Sequence, residues 1–101
     1  MEKIERIQHY ELLLDTVAPV LNELEAALDR FEKVQGDVQE LSAYYGSEEW
    51  HADVADDEAG LLPENLKRGI LSEDGIYDVL DNHYALTVRL LDTVSNILKN
   101  R

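Results

Sequence analysis

IQHYELLLDTVAPVLNELEAALDRF, residues 7–31, decides the fold. Apolar side chains return in steps of three and four at Ile7, Tyr10, Leu14, Val17, Leu21, Leu24, Leu28 and Phe31, and the phase continues to Val38 and Tyr45. Only Gln35 and Ser42 interrupt it. Steps of this kind stack side chains along one stripe of an α-helix and form a heptad seam.

Leu13, Val20, Ala27, Val34 and Leu41 each precede a seam position by one residue and widen the stripe. A stripe this broad is suited to two neighbouring helices rather than one. The spacing predicts a helix from about residue 2 to about residue 44, roughly 64 Å long at 1.5 Å per residue. Pro19 lies inside it and removes one backbone hydrogen bond. Asp15 and Thr16 offer the caps for a fresh start there, but the seam keeps its phase across Leu14, Val17 and Leu21. The expectation is one continuous helix with a kink.

Gly46 supplies a helix stop, and Ser47 followed by Glu48 and Glu49 reads as the cap and acidic first turn of a short second helix, about 47–59. Gly60 ends that helix. Pro63 then opens an expected one- or two-turn helix, about 63–68, closed by Gly69. Ser72 caps the last helix, about 72–100, whose seam is Tyr77, Leu80, Tyr84, Thr87, Leu91, Val94 and Leu98. No strand pattern or internal repeat occurs. The expected architecture is a single all-α domain over residues 1–101, a long antiparallel, coiled-coil-like hairpin with a short helical connector.

A last helix of about 29 residues leaves roughly 15 residues of a 43-residue first helix unpaired in such a hairpin. That overhang carries Ile7, Tyr10, Leu13 and Leu14. Each forgoes ~1.5 to 3 kcal/mol if left in water, so a cover is expected. Either the chain folds back at Pro19 into a three-helix bundle, or a second copy pairs with the overhang. The expectation is a homodimer.

The charge narrows the function classes. With 22 acidic and 9 basic residues, the formal net charge is -13. Binding to a phosphate backbone depends on basic side chains displacing condensed cations, so direct nucleic-acid binding and docking on anionic lipid are not expected. Mimicry of DNA toward a basic partner is the one nucleic-acid reading that such a charge leaves open. There is no cysteine, hence no disulfide and no thiolate metal site. The longest charge-free run, Thr16 to Asn22, is far short of the ~20 residues of a membrane helix, and MEKIERIQHY lacks the apolar core of a signal peptide. The expectation is a cytoplasmic protein.

Chemistry concentrates in SEEWHADVADDEAG, residues 47–60. Glu48 and His51 have the three-residue offset by which one helix presents two ligands to a metal, and Glu49 and Asp53 are four apart. No second Glu-x-x-His exists to complete a two-metal site, and a solvated acidic helix face accounts for the same residues. No serine or threonine is recognisably paired with a base, no glycine loop cradles a phosphate, and no cofactor is implied. Aromatic and basic residues beside this segment, Tyr44, Tyr45, Trp50, Lys67 and Arg68, are of the types that anchor interfaces. They serve equally to fold the connector onto the helix ends.

YYGSEEW, from Tyr44, and GLLPENLKRGILSEDGIYDVL, ending at Leu80, carry a run of turn, aromatic and charged residues. Through them the chain resembles a small family of uncharacterised, acidic, helical proteins of Gram-positive bacteria, a domain of unknown function. The resemblance implies an all-helical protein with no assigned activity, and it carries over no catalytic residue. The sequence therefore points to a non-enzymatic helical module that binds itself and an unidentified protein. A metal-dependent activity through Glu48, Glu49, His51 and Asp53 is the alternative.

Overall fold

A computed structural model describes residues 2–101. Helix α1 spans Lys3–Lys33, α2 Gln35–Tyr44, α3 Glu48–Glu58 and α4 Glu73–Lys99, and a 3-10 turn covers Gly69–Leu71. No strand occurs among the described residues, so the all-α class read from the heptad spacing holds. The chain divides into two compact units, one ending at Gly36 and one running from Asp37 to Arg101.

In the first unit, the Glu2 carboxylate caps α1 by accepting the Glu5 amide at 2.6 Å. The helix passes through Pro19 without interruption. Just upstream the Thr16 hydroxyl donates to the Leu12 carbonyl at 2.9 Å, an added bond within the turn that leads into the proline. The expected continuous helix to about residue 44 breaks elsewhere, at Val34, whose φ of -89° and ψ of 0° leave the helical basin. The sequence there is poor in helix formers, with a β-branched residue at 34 and glycine at 36. The break is one residue long: the Val34 amide still reaches the Arg30 carbonyl at 3.2 Å, and the Gln35 side-chain amide donates to the Phe31 carbonyl at 2.8 Å. No residue of α1 is buried.

The second unit is built around two side chains, Trp50 at 6% exposure and Ile76 at 2%. Both α3 and the start of α4 pack against the 3-10 turn, so that short element is the keystone of the unit. Ile70 and Leu71 of the turn are half-buried, as are Leu41, Val54, Leu62 and Leu80 of the same unit. The helix expected over Pro63–Arg68 does not form. Those residues make a tight turn, with the Leu66 amide donating to the Pro63 carbonyl at 3.1 Å, and the helical geometry appears later, at Gly69–Leu71. Proline at a first position favours a turn as much as a helix, and here the Arg68 side chain takes the carbonyls of this stretch.

Gly60 adopts φ +73° and closes α3. The Leu61 amide bonds the Asp56 carbonyl at 3.0 Å and the Gly60 amide the Asp57 carbonyl at 3.1 Å, the paired bonds of a Schellman ending. Gly46, at φ +78°, turns the chain after α2 in the same left-handed region. At the other end of the connector Ser72 caps α4 through the Gly75 amide. A Cβ on Gly75 would lie 2.2 Å from the Gly69 carbonyl oxygen, so no residue with a side chain fits there without moving backbone.

Candidate interaction site

The connector fixes a corner between α2, α3 and the 3-10 turn. The Ser47 hydroxyl accepts the Trp50 amide at 3.1 Å, which starts α3 and sets the indole toward the turn. The indole N–H then donates to the Ile70 carbonyl at 3.0 Å. Tyr45 meets the indole edge to face, ring centres 5.1 Å apart at 82°. Such ring pairs add ~0.5 to 1.5 kcal/mol to what burial alone supplies. Trp50 is therefore the internal anchor of the corner.

Tyr44 is tied to α3 by its hydroxyl, which donates to Asp53 Oδ2 at 2.6 Å. That hydrogen bond, then partial burial, then the charges of Asp53 and Glu49, push the phenol up to about 12 from its ordinary 10.0. Arg68 gathers the loop. Its guanidinium pairs with Asp57 on α3 and bonds the Pro63 carbonyl, and its Nε donates to the Leu66 carbonyl at 3.2 Å. A partly exposed ion pair is worth only ~0 to 1 kcal/mol. The two carbonyl bonds give Arg68 its importance, because together with the Asp57 pair they tie the loop after α3 back to that helix.

Five residues were candidates for a recognition surface. Trp50 and Arg68 are engaged inside the corner, Tyr44 and Tyr45 are half-buried, and Lys67 is exposed. Lys67 stands at an apolar groove of about 380 Å³ formed with Leu41, Gly69, Ile70, Ile76 and Val79.

The four acidic and imidazole candidates are not assembled. Glu48, Glu49 and His51 are exposed, and Asp53 is engaged by Tyr44. The His51 ring instead lies against Trp50, centres 5.1 Å apart. No group of three or more His, Asp or Glu positioned to hold a metal ion occurs among the described residues. A second residue set is open throughout. Ile7, Tyr10, Leu13 and Leu14 are exposed, Tyr10 and Leu14 at 60% each, and the rest of the α1 seam to Leu28 is exposed with them. On α4 the same holds for Tyr84, Leu91, Val94, Ile97 and Leu98.

Sequence reasoning missed Asp57 as the partner of Arg68 and the Ile70 carbonyl as the acceptor for Trp50. A buried indole always asks for an acceptor, but its location twenty residues on follows only from the fold. Sequence reasoning also passed over Gly75, a glycine inside a capped helix and so a position where a packing reason is to be sought.

These features define an all-helical protein with one tightly bonded corner and long apolar helix faces left open. No described helix is long and apolar enough to cross a membrane. The chain belongs to the family described as Domain of unknown function (DUF4298), whose model matches residues 7–93. No curated protein and no solved structure matches the chain.

Proposed function

We propose that this chain is a non-enzymatic helical interaction module whose working surface is the apolar seam of α1, completed by a helix of another chain. One observation carries the reading: a helix of 31 residues with a continuous apolar seam has no buried residue. Isolated helices draw little stability from propensity, and most of their stability in proteins comes from packing an apolar face. The seam residues from Ile7 to Leu28 keep about half of their surface open, so each has roughly 0.8 to 1.5 kcal/mol to gain from cover. The lack of cysteine supports a reducing, cytoplasmic setting.

The occupant is either a second copy, giving a homodimer through Ile7, Tyr10, Leu13 and Leu14, or a helix of a different protein. Sedimentation of the full chain measures the first, and titration with amphipathic helical peptides measures the second. Leu14→Asp with Leu21→Asp is expected to abolish whichever association occurs. A chain that stays monomeric, keeps α1 helical and takes no amphipathic helix would overturn the reading.

A further inference from the structure

We infer that the helix completing α1 is a cationic amphipathic helix from another protein, an inference that rests on reading α1 as a docking face. The seam has two unlike borders. On one side stand Leu13, Val20 and Ala27. On the other, one residue after Tyr10, Leu24 and Phe31, stand Glu11, Glu25 and Glu32, and the next row out adds Asp15 and Asp29. All of these lie within α1, and all five acids are exposed. From Ile7 to Asp29 the helix holds no lysine or arginine.

Residues that border a heptad seam choose its partner, because they face the bordering residues of the opposing helix as the seam is buried. A second copy is a poor match. Laid antiparallel with the seams in register, it sets Glu11 beside Glu25 of the other copy, acid against acid. Laid parallel, it gives Glu11 an opposing Arg6, but sets Glu25 against Val20 and Glu32 against Ala27. Two copies also unite two chains of formal charge -13. A foreign helix with leucine-like residues on its seam and lysine or arginine along one border meets the apolar stripe and the acidic border together. This is the helix-in-groove mode of recognition with its charge requirement supplied by the receptor.

The test uses the full chain and three synthetic helical peptides of about four heptads. The first has leucine on the seam and lysine on its borders, the second glutamate in place of lysine, and the third the first composition scrambled. Fluorescence anisotropy is expected to show the lysine peptide binding about tenfold or more tighter than the glutamate peptide, with the gap closing as salt rises. The scrambled peptide should not bind. Glu11→Lys, Glu25→Lys and Glu32→Lys together should reverse the preference, and Leu14→Asp with Leu21→Asp, which keeps every acid, should abolish binding. Equal affinity for the lysine and glutamate peptides overturns the charge assignment and leaves the docking face standing, whereas equal affinity for the scrambled peptide overturns the docking face, because binding then follows charge without the seam. A stable homodimer that excludes the lysine peptide also overturns the charge assignment. A monomer that binds none of the peptides overturns the docking face as well.

Discussion

The indole nitrogen of Trp50 donates to the backbone carbonyl of Ile70 at 3.0 Å, joining α3 to the 3-10 turn across twenty residues of sequence. Trp50→Phe keeps most of the apolar volume and leaves that carbonyl without its donor, at an expected cost of ~1 to 3 kcal/mol. Trp50→Ala also opens a cavity and is expected to cost ~3 to 5 kcal/mol. Urea denaturation followed by circular dichroism measures both. A Trp50→Ala loss below about 1 kcal/mol would show that the corner does not depend on the indole.

Gly75→Ala provides the sharpest steric test. In an ordinary helix this change raises stability by ~0.5 to 1 kcal/mol. Here the new methyl would meet the Gly69 carbonyl oxygen at 2.2 Å, and backbone must move. The expectation is a destabilisation of ~1 to 3 kcal/mol, the usual cost of overpacking. Thermal unfolding compares it with Gly36→Ala, where a Cβ meets nothing within 4 Å and where stability should rise. A stabilised Gly75→Ala protein would contradict the close approach.

The Tyr44–Asp53 bond predicts a pH dependence with a definite sign. The folded-state phenol is raised from 10.0 to about 12, so the folded state holds its proton more tightly than the unfolded chain. The stability this contributes is fully present below pH 10.0 and is lost as pH rises toward about 12. Absorbance titration near ~295 nm, where phenolate absorbs, should resolve one late-titrating group among the five tyrosines. Tyr44→Phe should delete that late step, and Asp53→Asn should move it earlier; a late step unchanged in both variants would assign it to another tyrosine.

Arg68→Ala should loosen residues 61–68 more than it lowers global stability. The pair with Asp57 is partly exposed and contributes little, while the carbonyls of Pro63 and Leu66 lose their side-chain donor. Native-state hydrogen exchange and limited proteolysis should report faster opening of this loop, with global unfolding shifted by ~1 kcal/mol or less. Arg68→Lys should recover little, since an ammonium cannot bond two carbonyls and a carboxylate in the planar fork that guanidinium provides. Full protection of the loop in Arg68→Ala would show that Pro63 alone sets its path.

The class of fold was legible because heptad spacing is a local property: Leu14, Val17, Leu21 and Leu24 declare a helix whatever they pack against. Caps were legible for the same reason, and Ser47 and Ser72 both accept an amide three residues on. The break at Val34 was not, since Pro19 carries the stronger local signal against a helix and yet is accommodated. Nor was the turn at Pro63–Arg68, whose conformation depends on Asp57, a residue in a different element. At the candidate site the sequence identified the residue types but not their employment. Trp50 and Arg68 have the chemistry of interface anchors, and only three-dimensional placement shows that the corner has already claimed them.

The close passage of Gly75 over the Gly69 carbonyl also bears on descent. In a lineage free to exchange the acidic residues around it, position 75 is closed to every amino acid that carries a β-carbon, since even the smallest addition would pry α4 from the turn beneath it. An ancestral reconstruction of these chains should therefore find glycine here at every node, while Glu73 and Asp74 on its doorstep drift.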